Sequence, residues 1–240
     1  MRPMWRLVVA VALCVAVVSG VGACGSSDEP AVTQVLADPV LRTALDPLVA
    51  ENPLAPNPVV VDYGSAATGG DRAAVLATAD AAAFESLSTQ GRLAGEPQLF
   101  ARSHLVLVTA PGNPEGVHSV VDLNRPDVAA VLADASSALG DASALSFAQA
   151  KSRAPASALR VPDGAAVVAA IASGQADAGI VEAAVPAGGL EVVELPEVER
   201  VELDYRAAPI TASQAAVGFI TLLFSQSGRD ALTAAGFELP

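Results

Sequence analysis

Short β-branched or apolar runs alternate with helix-patterned segments along almost the whole chain, and this alternation limits the folds open to it. The runs are Val59-Val60-Val61, Ala73 to Ala77, His104 to Val108, Val128 to Leu132, Leu159 to Val161, Ala178 to Val181, Leu190 to Leu195 and Val201 to Ala207. Between them lie helical spacings: Leu41, Leu45 and Leu48; Phe84 and Leu87 within Ala81 to Gln90; and a weakly patterned stretch near Ala142 to Ser152. Further helices are expected over Val167, Val168 and Ile171, over Ser213 to Phe224 with Val217, Ile220 and Phe224 inward, and over Ser227 to Ala235. Punctuation agrees with these limits. Asp38-Pro39 reads as an N-cap and first helical position, Asn52-Pro53 as a stop, Asp163 as a cap, and Gly91, Gly174 and Gly236 as terminators. Strand and helix in alternation predict α/β layers with mixed, mostly parallel sheets, not a sandwich or a bundle.

The first 24 residues do not belong to this pattern. Arg2 and Arg6 precede an apolar run from Leu7 to Val18, and Val21-Gly22-Ala23-Cys24 follows. A basic start, a short apolar region and small residues before a cysteine resemble a bacterial lipoprotein signal. That resemblance implies a signal over 1–23, lipidation at Cys24 and a flexible tether over 24–34. It also implies an extracytoplasmic location at the membrane surface, held there by the lipid.

Charge and cysteine usage restrict the partners. Losing Arg2 and Arg6 takes the net charge from −13 to −15, and the remaining arginines are scattered singly, so nucleic acid is excluded as a partner. Both cysteines, Cys14 and Cys24, precede the folded part, which therefore relies on an apolar core and has no disulfide. His104 and His118 are the only histidines and are read as an edge-of-strand and a loop residue. No metal or cofactor is expected. No serine has a histidine at a suggestive distance, and Glu194 and Glu197 fall in the acidic run Glu191 to Glu202, read as a solvated edge. No catalytic residue is assigned.

Three phrases carry a resemblance to a known family. They are Leu99 to Val108 with Pro111-Gly112-Asn113-Pro114 and Asp122-Leu123-Asn124-Arg125-Pro126; Ser173 to Val181; and Ser225 to Leu232 with Gly236-Phe237. In order and spacing they resemble the molybdate-binding proteins of ABC importers, within the type 2 periplasmic solute-binding family. The resemblance implies a monomer of two α/β lobes gripping a small oxyanion, presented to an ABC permease. Lobe 1 would comprise 35–104 with 206–240 and lobe 2 would comprise 105–205, with crossings near Ser103 to Val108 and Asp204 to Ala208.

The family's site holds a tetrahedral dianion with serine hydroxyls and backbone N–H groups at helix starts. Carried over position by position, its first serine falls at Pro39-Val40, leaving Val40 without a hydroxyl beside a proline without an N–H. Its second falls at Ser65, with Ala66 beside it and Thr68 as a substitute. The connection between Gly70 and Ala73 is shorter than the family's. The backbone donors of the second lobe correspond to Gly140, with Ser136 and Ser137 nearby, and to Gly164. The family's ligand-facing tyrosine is Glu182 here. Two unit charges about 4 Å apart interact at roughly 4 kcal/mol at an effective dielectric of about 20, and a dianion feels about twice that. An inward Glu182 therefore opposes molybdate. The residue can instead turn to solvent at the strand end, or accept from a cationic or hydroxyl-rich ligand. Two roles follow: an oxyanion receptor with a divergent site, or a lipid-anchored interaction or sensor protein that kept only the fold. Convergence of the Gly64 to Asp71 loop with Ser136-Ser137 on one cleft favours the receptor, whereas a cleft filled by apolar side chains favours the other.

Overall fold

The structure is a computed structural model that describes residues 32–54, 58–65 and 72–240. The signal, Cys24, Ala66 and Thr68 lie outside the described residues. Among the described residues, nine strands and six α-helices follow in sequence: β1 (Thr33–Ala37), α1 (Arg42–Glu51), β2 (Val59–Tyr63), β3 (Val75–Thr78), α2 (Ala81–Thr89), β4 (Gln98–Thr109), β5 (Ala130–Ala133) and α3 (Ala138–Gln149). The chain continues through β6 (Leu159–Val161), α4 (Gly164–Ala172), β7 (Ala178–Glu182), β8 (Glu191–Glu194), β9 (Glu202–Pro209), α5 (Gln214–Leu223) and α6 (Gln226–Ala234). Two 3-10 turns, Pro39–Leu41 and Val120–Asn124, precede α1 and β5.

The strand order is β2-β1-β3-β9-β4-β7-β5-β6, with β8 also on β4. This is the mixed α/β architecture that the alternation implies. Parallel pairs form the outer parts of both half-sheets, β2-β1-β3 on one side and β7-β5-β6 on the other. Antiparallel pairs occupy the centre, where β9 lies between β3 and the first part of β4, and β4 runs on to pair with β7. β4 pairs with β9 from Gln98 to His104 and with β7 from Leu105 to Thr109, so one twelve-residue strand serves both halves. β9 already pairs with β4 at Glu202, opposite His104.

The helices cover the sheet as their apolar spacing requires. Leu41, Leu45 and Leu48 are all buried under α1, and Asn52 caps its C-terminus. Phe84 and Leu87 of α2 pack on Leu36 and Leu76, and burial of each such side chain is worth about 1.5–3 kcal/mol. Val167 and Ile171 of α4 pack on Val106, Val108, Val131 and Val181. In α5 the buried face is Ala216, Phe219, Ile220 and Leu223, whereas Val217, expected inward, is exposed. The 3.6-residue period anchored on Phe219 and Leu223 turns Val217 away.

Other boundaries moved for local reasons. Thr33 and Gln34, expected in the tether, begin β1, and Thr33 is buried and pairs with Val59 of β2. Helix α3 starts at Ala138 instead of Ala142, because the side chain of Ser137 caps it by accepting from the Gly140 N–H at 3.0 Å. Asp38 makes no side-chain cap to the following turn. His104 is buried at the crossing, with Nε2 3.3 Å from Glu194 and Nδ1 3.6 Å from Glu238. Within the acidic run, Glu199 is buried and accepts from the Ser119 hydroxyl at 2.7 Å and the Val120 N–H at 2.9 Å. It ties the loop before β9 to the second 3-10 turn.

Candidate functional site

Parallel strands in a layered α/β fold leave a crevice at their carboxyl ends, and ligands of such folds bind there. Here Asp38 follows β1, Gly64 and Ser65 follow β2, Asp80 follows β3, Asp134 follows β5, Pro162 and Asp163 follow β6, and Glu182 ends β7. All of them line one cleft of about 570 Å³. The size suits a small-molecule site, for which about 300–1,000 Å³ is usual. The cleft is open space and is not filled by apolar side chains.

Two helix starts enter it. Ser137 and Asp163 cap α3 and α4 in the same way, each accepting from the N–H three residues on, at Gly140 and Ala166. That arrangement leaves the N–H groups of Ala138 and Leu139, and of Gly164 and Ala165, without an acceptor inside their own helices. Ala138, Leu139, Gly164 and Ala165 all line the cleft. The hydroxyl of Ser65, from the first half, donates to the carbonyl of Ser136, from the second, at 3.4 Å. The Ser65 end of the loop and the Ser136-Ser137 pair therefore converge.

Of the residues expected at the site, Val40, Ser65, Gly164 and Glu182 line the cleft. Gly140 does not. Its N–H is taken by Ser137, and its Cα sits so close behind the lining that an added Cβ would lie 2.0 Å from the carbonyl oxygen of Asp134. Ala138 and Leu139, one turn edge earlier, stand in its place. Gly164 also tolerates no side chain, since a Cβ there would be 2.9 Å from Val185 and 3.0 Å from Oε2 of Glu182.

Glu182 is 5% exposed, and its Oε2 has no hydrogen-bond partner. It does not turn to solvent. Its position opposite Leu105, at the end of a strand buried on both faces, holds it inside. Burial pushes its carboxyl from 4.5 up to about 7, and Asp38 and Asp163 add to the rise. A bond to its own backbone opposes the shift.

Sequence reasoning missed the rest of the lining. Asp38 is buried, accepts from Thr78 Oγ1 at 2.8 and 2.9 Å and from the Ala79 N–H at 2.8 Å, and is pushed up to about 6 mainly by burial. Those donors lie forty residues along the chain, so no local pattern announces them. Asp80 caps α2 by accepting from the Ala83 N–H. Arg42 stands 4.0 Å over the ring of Tyr63, whose hydroxyl donates to Asp46 at 2.6 Å. Among the described residues, five carboxylates line the cleft against one guanidinium, that of Arg42. Behind the lining, the buried hydroxyl of Tyr205 has no partner, and burial with Glu182 and Asp38 nearby holds its pKa well up. Among the described residues no group of three His, Cys, Asp or Glu could hold a metal ion.

Known proteins match this chain in sequence and in fold. Residues 58–238 match the family model described as bacterial extracellular solute-binding protein. The molybdate-binding protein ModA of Mycobacterium tuberculosis H37Rv is 35% identical over 181 residues, covering 72% of this chain and 68% of that protein, and its Mycobacterium bovis counterpart matches equally. The periplasmic molybdate-binding protein of Azotobacter vinelandii superposes with a TM-score of 0.71 at 20% identity, over 87% of this chain and 99% of that one. The sulfate-binding protein SubI of Mycobacterium tuberculosis H37Rv does so with a TM-score of 0.73 at 15% identity, over 87% of each chain. The family model over 58–238 and the mycobacterial relatives agree: this chain belongs to the bacterial extracellular solute-binding protein family.

Proposed function

We propose that this chain is the extracytoplasmic receptor of an ABC importer for a small tetrahedral oxyanion of the molybdate type, anchored by lipid at Cys24. The observation that carries this reading is the meeting of two helix starts and Ser65 in one cleft. Helix starts concentrate unpaired N–H groups and the positive end of the macrodipole, and together they hold an anion without a lysine or arginine. The names of the mycobacterial relatives, 35% identical to this chain over 181 aligned residues, point the same way.

The acidic lining is less hostile than its count implies. Asp163 and Asp80 spend an oxygen each on helix caps, and Asp38 is satisfied by Thr78 and Ala79. Asp134 is exposed, so Glu182, buried with Oε2 unpartnered, is the exception, and it makes this site differ from one built on a tyrosine. The lobes are 35–104 with 206–240 and 105–205. β4 and β9 act as the hinge, and closure around the ligand presents one surface to the permease while the chain stays monomeric. Calorimetric titration of the full chain with sodium molybdate at pH 6 and low ionic strength tests the reading. Micromolar or tighter binding is expected; absence of both heat and thermal stabilisation would contradict it.

A further inference from the structure

An unpartnered, buried carboxylate oxygen is costly to keep and therefore tells what the site lacks. Glu182 lines the cleft, and its Oε2 has no partner, is buried, and lies beside the first residue of α4. The missing partner is a donor. The helix starts opposite it supply donors and need acceptors. A ligand that satisfies both must offer oxygens to the N–H groups and a hydrogen to Glu182. A bare dianion cannot, because its oxygen would face a carboxylate across a short gap.

We propose that the cleft takes up its oxyanion together with one proton, held between a ligand oxygen and Oε2 of Glu182. This rests on the reading of the chain as a receptor for a tetrahedral oxyanion. The proton comes from bulk water and makes a charge-assisted O–H···O bond, which is among the shorter and stronger hydrogen bonds available. The groups facing Glu182 leave it as the acceptor. Asp38, before the first 3-10 turn, already has three donor contacts from Thr78 and Ala79. Asp163, at the start of α4, is engaged with Ala166. Tyr205 on β9 stays protonated, and does not line the cleft. Asp80, Asp134 and Arg42 complete the charged lining. The ordinary range of Glu182 is already shifted to about 7, which makes the proton available near neutrality.

The test is calorimetry of the full chain with sodium molybdate at pH 8 in two buffers of different ionisation enthalpy, followed by Kd measured from pH 6 to pH 9. One proton taken up per molybdate bound is expected, with affinity falling about tenfold per pH unit above the Glu182 transition. Glu182→Gln should bind with no uptake and a flat pH profile. Wild-type binding without proton uptake would overturn the proposal while the receptor reading stands, and that count is decisive whether or not the variant folds. Uptake that persists in a folded Glu182→Gln variant would place the proton elsewhere and also overturn it. No binding at any pH would remove both the receptor reading and this inference.

Discussion

Replacing Glu182 by glutamine should stabilise the folded protein in alkaline solution relative to acid, although the residue is buried in the functional cleft. Glutamate ordinarily titrates at 4.5, and in the folded chain Glu182 is raised to about 7. At 1.36 kcal/mol per unit, ionising it costs the folded state about 3 kcal/mol in full. The sign follows from linkage: a folded-state pKa above the unfolded one means that the native form binds the proton more tightly. The contribution is fully present below pH 4.5 and is lost as pH rises through 7. Between pH 5 and pH 8 about 2.5 kcal/mol of it disappears. Glutamine cannot ionise, so the difference in unfolding free energy between variant and wild type should be about 2.5 kcal/mol more favourable to the variant at pH 8 than at pH 5. Asp38, raised to about 6, weakens both proteins on the alkaline side. Urea unfolding at the two pH values, followed by circular dichroism, measures the difference. Parallel pH dependences for the two proteins would refute the reasoning, since they would mean that Glu182 is no more costly to ionise folded than unfolded.

Other consequences can be checked on single variants. Thr78→Val removes the hydroxyl that donates to both oxygens of Asp38, and it should cost about 1.5–3 kcal/mol at pH 8 and less at pH 5, where Asp38 is protonated; equal losses at both pH values would argue against a charged Asp38. Gly140→Ala would put a Cβ 2.0 Å from the Asp134 carbonyl oxygen, forcing the loop before α3 outward. Denaturant titration should show a loss of about 1–3 kcal/mol, with weaker molybdate binding, and an unchanged midpoint would contradict the close approach. Glu182→Tyr should strengthen molybdate binding at pH 8 by about tenfold or more, and unchanged affinity would sink the inward carboxylate as the cause of weakness. Cys24→Ala should move the exported chain from the membrane fraction to the soluble one, and retention in the membrane would place the anchor elsewhere.

The fold was legible where burial is one-sided and local. Leu41, Leu45 and Leu48 of α1 and Phe84 and Leu87 of α2 carry the helical period because only one face of each helix meets the sheet. It was less legible in α3, where the buried face of Leu139, Gly140, Ala142, Ser143, Ser146 and Phe147 is mostly small or polar while Leu145 is exposed, so hydrophobicity does not mark the period. β1 escaped notice because Thr33–Ala37 is short, follows a polar tether and gains its identity only by pairing with β2 and β3. At the site, Ser65, Gly164 and Glu182 could be placed by resemblance, and Asp163 by its cap pattern. Asp38 could not, because its partners Thr78 and Ala79 arrive from another strand end. Gly140 was misassigned for a related reason. A glycine at a helix start reads equally well as a donor or as a close-packing position, and only the approach of Asp134 decides between them.

The most direct test of the account is a crystal of the chain grown with molybdate, with anomalous scattering recorded across the molybdenum edge. A single molybdenum peak is expected between the first turns of α3 and α4, within reach of Ser65 and with one oxygen against Glu182. A peak elsewhere on the molecule, or none at saturating molybdate, would contradict the assignment of this cleft as the oxyanion site.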